Sequence, residues 1–221
     1  MKRVAVTLQA PYAVAPARLD AERLGDILSR AIIIVLFSFF AVRLGADFLQ
    51  TGRLTNLLLL ISEMLVVALT VLRRSAATVD RSLRARLLTT MSLLGPLLVR
   101  PVQMLPLLPA SITVAGSVIG LAIVIAGKIT LGRSFGLMPA NRGIVSSGVY
   151  RLVRHPIYLG YLITHVAFAF ANPTVSNVVI LVAGDTALLL RAVCEEQTLA
   201  RDAQYREYQQ AVRWRVCPGL F

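Results

Sequence analysis

Two stretches of the sequence concentrate residues that could bind a small charged ligand. The first, residues 128–161, combines glycines with cationic and aromatic side chains. Glycine lets backbone approach a ligand, arginine and histidine donate hydrogen bonds to anions, and tyrosine rings offer flat packing surfaces. The residues concerned are Gly143, Gly148, Tyr150, Arg151, Arg154, His155 and Tyr158. Their density predicts a ligand-binding loop.

His155 and Pro156 mark a helix start inside this loop. Proline suits the first turn of a helix, where its missing N–H removes no hydrogen bond. The unpaired N–H groups of a helix start attract anions. His155 at that position therefore predicts a site for a carboxylate or a phosphate.

The second stretch contains Arg191, Glu195 and Glu196. Arg191 and Glu195 are four residues apart, so they share one face of a helix. Two adjacent acids beside a basic loop could receive the positive end of a zwitterionic ligand. The alternative is a simple salt bridge between Arg191 and Glu195, which would contribute only about 0.3–0.5 kcal/mol.

The composition indicates that helices in a lipid bilayer position these residues. Hydrophobic residues make up 57% of the 221-residue chain and charged residues 15%, and the mean hydropathy is +0.72. A soluble domain is less apolar and more charged. We therefore predict an all-α polytopic membrane helix bundle with about six spans. The predicted spans are 27–49, 54–72, 87–108, 110–131, 157–171 and 174–193.

Three features qualify these spans. The third contains Pro96, Pro101 and Pro106 and is expected to kink or to cross only in part. The fifth and sixth are separated by three residues, 172–174, which predicts a tight helical hairpin. Gly116 and Gly120 in the fourth span favour close helix packing, either within the chain or in a dimer.

The basic residues support this topology. Placing the N-terminus in the cytoplasm puts 20 of the 23 Lys and Arg on one side of the membrane, five in each of four segments, and leaves three outside. This agrees with the positive-inside rule, so both termini are expected to be cytoplasmic. Most of the net charge of +12 then reflects orientation, and nucleic-acid binding is not predicted.

The counts of cysteine, arginine and lysine limit the remaining classes of site and source. Two cysteines are too few for a disulfide scaffold or a four-cysteine zinc site, and we predict no metal. Arg outnumbers Lys 21 to 2, which favours a GC-rich bacterial source and hence the bacterial inner membrane, or the endoplasmic reticulum if the source is eukaryotic. Residues 1–26 are expected to be a cytoplasmic arm, 27–131 the first four spans, and 132–221 the functional core.

Other polar residues receive structural interpretations. Glu63, His165 and Asp185 fall inside spans, where we expect interhelical pairing because none lies near the cytoplasmic loop. Tyr205 and Tyr208 could lie at the headgroup level or pack over the site. For these two residues and Trp214, anchoring at the membrane surface is preferred to contact with the substrate.

Several separated elements of the sequence resemble one known family. They are, in order, GVYRLVRHPIYLG at residues 148–160, Asn172-Pro173, Arg191, Glu195-Glu196, Leu199 and Tyr205-Arg206-Glu207-Tyr208. In order and spacing, over residues 131–218, these elements resemble the isoprenylcysteine carboxyl methyltransferase family. The first four spans are similar only in being hydrophobic.

The resemblance implies a membrane methyltransferase that uses S-adenosylmethionine. The chain lacks the glycine-rich strand-turn-helix fingerprint of a dinucleotide fold, which is consistent with such an enzyme. The family's cofactor contacts correspond here to Arg142, Gly143, Ile144, Val145, Tyr150, His155, Pro156, Ile157, Tyr158 and Glu195, and the residues themselves add Arg154 to this set. The family's substrate-contacting arginine corresponds to Arg191.

The roles expected of these residues are binding and orientation, because in-line positioning of donor and acceptor can lower a barrier by roughly 7–11 kcal/mol. His155 and Arg154 would hold the cofactor carboxylate, and Glu195 its ammonium or ribose hydroxyls. Tyr150 and Tyr158 would pack on the adenine or the methionyl chain. Arg191 would clamp an anionic acceptor through its planar fork.

The acceptor expected from the resemblance is lipophilic, either a small molecule or a prenylated chain, and it would reach the site from membrane lipid. O-methylation of an isoprenylcysteine-like carboxylate is the leading interpretation. The alternatives are a phospholipid N-methyltransferase, a thiol S-methyltransferase, an NADPH-dependent reductase of the sterol type, and a non-catalytic scaffold that binds anionic lipid. The oligomeric state is left open.

Overall fold

The computed structural model describes residues 16–102 and 104–221. Within that part of the chain seven helices dominate, and 72% of the structure is helical. The helices are α1 (Pro16–Thr51), α2 (Leu54–Leu72), α3 (Leu83–Leu98), α4 (Ala110–Leu131), α5 (Pro156–Ala171), α6 (Val175–Leu199) and α7 (Ala203–Ala211). Two short strands, β1 (Thr78–Val79) and β2 (Ala140–Asn141), pair antiparallel with Thr78 opposite Asn141. The predicted all-α class is confirmed.

Four of these helices are long and apolar enough to cross a bilayer: Leu24–Thr51, Leu54–Leu72, Ala110–Ser134 and Val175–Leu199. The predicted arm, 1–26, falls partly outside the described residues, and its part from residue 16 onward begins α1. Helix α5 matches the fifth predicted span to within one residue but has only 16 residues. The bilayer core requires about 20 residues in a helix, so α5 is short for a full crossing.

The third predicted span, 87–108, differs from the structure. Helix α3 runs from Leu83 to Leu98, starting four residues earlier and ending ten residues earlier than predicted. Pro101 and Pro106 lie in the non-helical segment that follows, because proline cannot donate the hydrogen bonds that continue a helix. Two asparagines of the α5–α6 hairpin fix this segment: Asn177 bonds Arg100 N–H and C=O at 3.1 and 2.9 Å, and Asn172 bonds Val102 N–H at 3.0 Å.

Glycines set which helices pack together. A Cβ on Gly160 of α5 would lie 2.5 Å from the carbonyl oxygen of Gly120 on α4, so only glycine fits at this crossing. Helices α3 and α6 approach in the same way, since a Cβ on Gly95 would lie 3.1 Å from the Cα of Gly184. The predicted small-residue packing surface around Gly120 is thus used inside the chain.

The predicted hairpin is confirmed, with three residues between α5 and α6. His165 of α5 and Asp185 of α6 form the expected interhelical pair, with Nδ1 and Oδ1 2.6 Å apart. The core lies at the other end of these helices, where Val66 of α2, Val124 of α4 and Val216 of the C-terminal segment are all but completely buried. This packing brings the C-terminal segment against the start of α5.

Candidate active site

A pocket lies where α5 begins and α6 ends, closed on one side by the 132–155 loop and on another by α7. Eleven of the twelve residues predicted to bind cofactor or acceptor line it: Arg142, Gly143, Ile144, Val145, Tyr150, Arg154, His155, Ile157, Tyr158, Arg191 and Glu195. The twelfth, Pro156, is buried at the first position of α5, as the sequence predicted. The fold therefore brings the predicted residues together, and their roles as ligands stay a prediction.

Local backbone geometry shapes the loop. Gly143 has a φ of +102° and Gly148 a φ of +54°, values that favour glycine over residues with a Cβ. Gly136 leaves room that the guanidinium of Arg142 fills. Asn141 next to Arg142 donates to Asp202, at the start of α7, over 2.9 Å. The pairing of β1 with β2 and this contact hold Arg142 against the pocket.

Arg142 is a buried cation without a partner. Its residue is only 8% exposed, and its guanidinium makes no hydrogen bond to the rest of the described chain. Burial, together with the nearby positive charge of Arg73, lowers its pKa to about 10, so it still carries its charge at neutral pH. A buried charge without a counter-ion is costly. Arg142 therefore fits an anionic group in the pocket.

Arg191 is a second buried guanidinium on the same pocket, 5% exposed. It contacts Ser92 Oγ at 3.4 Å and the carbonyl oxygen of Leu137, and it lies 5.5 Å from the centre of the Tyr158 ring. Its Nε has no partner among the described residues. One donor of Arg191 is therefore unpaired on a side chain that lines the pocket, and its role toward an acceptor stays a prediction.

Glu195 supplies the negative charge of the pocket. Its Oε2 accepts a hydrogen bond from the Tyr158 hydroxyl over 2.7 Å. The salt bridge with Arg191 that the four-residue spacing allowed does not form among the described residues, because Arg191 turns toward α3 and the loop instead. Glu195 thus faces the pocket with a tyrosine as its partner and can receive a cationic group.

The adjacent Glu196 plays a different part that the sequence did not reveal. Its carboxylate is buried and accepts from Arg154 Nε at 2.7 Å and from Arg215 Nε at 2.9 Å, and it lies 3.2 Å from His155 Nε2. We define these four residues as the Glu196 cluster. The only sequence signal for it was the basic RWR stretch at residues 213–215, which could pair with one of the two acids.

The Glu196 cluster changes the interpretation of Arg154 and His155. Arg154 is also bonded to the carbonyl oxygens of Val212 and Arg213. The backbone N–H groups of Arg154 and His155 donate to Trp214 and Arg215 carbonyls at 2.9 and 2.8 Å. The anion site predicted at this helix start is therefore largely filled by the chain's own C-terminal segment, although both side chains border the pocket.

Tyrosines of α7 line the pocket. Of the two placements predicted for Tyr205 and Tyr208, the structure shows packing over the site and not the preferred surface anchoring. The two residues are 3% and 7% exposed. The Tyr208 hydroxyl donates to the carbonyl oxygen of Tyr150 over 2.7 Å. Helix α7 folds back against the loop because this side of it buries its rings. Burial raises the pKa of Tyr150, Tyr205 and Tyr208, so these rings stay neutral.

Comparison with known families adds an independent observation. Residues 109–206 match the family model of phospholipid methyltransferases. The matched segment contains α4, the loop, α5 and α6, and thus all twelve predicted site residues. With the four long apolar helices, the match indicates a membrane methyltransferase.

The match is coarser than the resemblance seen in the sequence. It supports a methyltransferase and does not single out an isoprenylcysteine acceptor. No curated protein matches the chain.

Proposed function

We propose that the protein transfers a methyl group from S-adenosylmethionine to a lipophilic acceptor at the membrane surface. The observation that carries this proposal is the charge pattern of the pocket within the matched segment. Two buried guanidiniums, Arg142 and Arg191, each have an unpartnered nitrogen there. The carboxylate of Glu195 lines the same pocket. A ligand with one anionic and one cationic end complements this arrangement.

The methionyl end of S-adenosylmethionine is such a zwitterion. Arg142 fits its carboxylate, since that guanidinium makes no hydrogen bond or ion pair with the described residues and charge-assisted hydrogen bonds are the strong ones. Glu195 fits its ammonium group. Tyr150 and Tyr158, both buried in the pocket wall, supply rings for the adenine. When bound, this cofactor supplies a methyl group on a positively charged sulfur.

The residues of the chain then act by binding and positioning. Tyr158 fixes Glu195 through its 2.7 Å hydrogen bond. The Glu196 cluster fixes the start of α5 and the C-terminal segment, so the tyrosines of α7 can cover the site and keep water out. A dry, preorganised site strengthens the electrostatic interactions that hold both reactants in line.

Two acceptor classes each have a supporting observation. The buried, unpartnered Nε of Arg191 favours a carboxylate, as in O-methylation of an isoprenylcysteine-like lipid. The family match favours an aminophospholipid headgroup. Both acceptors carry long apolar chains, which would enter between the helices from the bilayer.

Isothermal calorimetry on detergent-purified protein tests the cofactor assignment. We expect saturable binding of S-adenosylmethionine, lost in Arg142→Gln and Glu195→Gln and kept in Arg201→Gln, an exposed arginine outside the pocket lining. Binding of NADPH instead of S-adenosylmethionine would overturn the proposal in favour of a reductase. Transfer of labelled methyl to a farnesylcysteine analogue or to phosphatidylethanolamine then separates the acceptors. For the carboxylate, Arg191→Ala should lower the transfer rate more than it lowers cofactor affinity.

A further inference from the structure

A pair of ionisable side chains lies deeper between the helices than the pocket. His165 Nδ1 of α5 is 2.6 Å from Asp185 Oδ1 of α6, and the two side chains are 12% and 19% exposed. The other ring nitrogen, Nε2, has no hydrogen-bond partner among the described residues. A histidine held at Nδ1 by a carboxylate, with Nε2 free, has the arrangement of a general base.

This pair adjoins the pocket through Tyr161. Tyr158, Tyr161 and His165 follow one another on one face of α5 at spacings of three and four residues. The first two line the pocket, and the ring of Tyr161 stacks on that of His165 with centroids 6.1 Å apart and planes 13° apart. His165 is thus about 6 Å further along the helix than Tyr161, one turn deeper.

The pair joins α5 to α6, whereas the close glycine contacts join α4 to α5 and α3 to α6. Placing ionisable groups inside an apolar bundle is unfavourable, and their presence there is by default a functional hypothesis. The sequence-based interpretation of His165 and Asp185 as a structural pair rested on their distance from the site. The stacking shortens that distance to one side chain, because His165 lies directly behind Tyr161 of the pocket wall.

We propose that His165, oriented by Asp185, accepts a proton from the methyl acceptor. This inference rests on the proposed function, and it selects an acceptor whose nucleophilic atom must lose a proton, the ammonium of a lipid headgroup, over a carboxylate. The headgroup would lie against Tyr161 with its nitrogen at Nε2 of His165. The acyl chains would extend along the lipid-facing side of α5.

The step balances in atoms and charge. The headgroup R–NH3⁺ gives one proton to Nε2, which leaves the amine R–NH2 and an imidazolium paired with the Asp185 carboxylate. The nitrogen lone pair forms the new N–C bond while the S–C bond of the sulfonium breaks and its electrons stay on sulfur. The product is the N-methylated ammonium with a neutral thioether, and His165 returns its proton to water through the pocket.

Three variants in lipid nanodiscs test the role of His165. His165→Gln keeps a side-chain N–H that can bond Asp185 and removes the base, and Asp185→Asn removes the carboxylate that orients the ring. Thr186→Val, beside Asp185 on the exposed side of α6, is the matched control. With phosphatidylethanolamine as the probe, we expect kcat to fall at least about 100-fold in His165→Gln. The KM for the lipid, the calorimetric affinity for S-adenosylmethionine and the thermal midpoint should stay at the wild-type values.

A second lipid distinguishes a general base from a histidine that only joins α5 to α6. A phospholipid with a fluorinated ethanolamine headgroup has a less basic amine that is already neutral at the assay pH, so it needs no base. His165→Gln and Asp185→Asn should recover most of the wild-type rate with this lipid. This comparison is made within one variant and remains informative if the substitutions lower stability.

The outcomes distinguish this inference from the proposed function. If His165→Gln keeps the wild-type kcat, or if its kcat falls by the same factor with both lipids, the general-base role is wrong. The proposed methyltransferase activity is unaffected by that result. Transfer by the wild type to a farnesylcysteine analogue and to no amine would also overturn it. Failure of the wild type to bind S-adenosylmethionine would instead remove the proposed function, and this inference with it.

Discussion

Arg154 Nε lies 2.7 Å from Oε1 of Glu196, joining the residue two before α5 to the last turn of α6. Both side chains are buried, 9% and 5% exposed. Arg215 bonds the second carboxylate oxygen of Glu196, so one carboxylate holds the loop, α6 and the C-terminal segment in register. The shape of the pocket depends on this ion pair although neither residue is assigned to the transferred group.

Replacing Glu196 should therefore destabilise the whole end of the bundle. Glu196→Gln leaves the guanidinium of Arg154, 9% exposed, and that of Arg215, 26% exposed, without their shared carboxylate, and loss of one partner of a buried pair costs roughly 3–5 kcal/mol. We expect a clearly lower midpoint of thermal unfolding in detergent. Glu207→Gln on the exposed side of α7 is the control and should unfold at the wild-type temperature. Equal midpoints for the two variants would show that the Glu196 cluster contributes little.

The crossing of α4 and α5 offers a second test. A Cβ on Gly160 would lie 2.5 Å from the carbonyl oxygen of Gly120, a separation that packed atoms do not adopt, so Gly160→Ala must push the helices apart. We expect a lower thermal midpoint and weaker cofactor binding, because Tyr158 lies on the same helix. Gly25→Ala, also inside a helix, meets nothing within 4 Å and should lower neither quantity, because alanine favours the helix over glycine. A wild-type midpoint for Gly160→Ala would mean that these helices are not closely packed.

The buried tyrosines predict sensitivity to alkali. Burial raises the pKa of Tyr205 above its ordinary value of 10.0, so the folded state keeps the phenol neutral while the unfolded chain can ionise it. The stabilisation is fully present below pH 10 and is lost as the pH rises above it, by up to about 1.4 kcal/mol per pH unit for each such tyrosine.

Thermal midpoints measured between pH 8 and pH 11 check this expectation. The wild-type midpoint should fall above pH 10, and the fall should be shallower in Tyr205→Phe, which keeps the buried ring and removes the titrating group. An identical pH dependence in the two proteins would show that Tyr205 is accessible to solvent.

Much of this arrangement could be predicted from local sequence, because the helical spans, the hairpin and the loop depend on apolar runs, prolines and glycines near one another in the chain. The partners of Arg154 and His155 could not. They depend on which of two adjacent acids faces which side of α6, and on a C-terminal segment about 60 residues away that folds back onto α5. For the same reason the sequence left two placements open for Tyr205 and Tyr208, at the headgroup level or over the site.

The end of helix α3 could not be predicted from the sequence for a different reason. Its apolar content was visible, but its end at Leu98 depends on Asn177 and Asn172 capturing the following backbone from another helix pair. Long-range hydrogen bonds of this kind leave no periodic signal in the sequence. The family match begins after this segment, at residue 109.

Methyl transfer into lipid is the most direct test of the central claim. Purified protein in nanodiscs would be incubated with methyl-labelled S-adenosylmethionine and a total lipid extract, and the organic phase would be counted. We predict protein-dependent labelling of a lipid, abolished in Glu195→Gln. Label in the organic phase no higher than in a blank without protein would contradict the account.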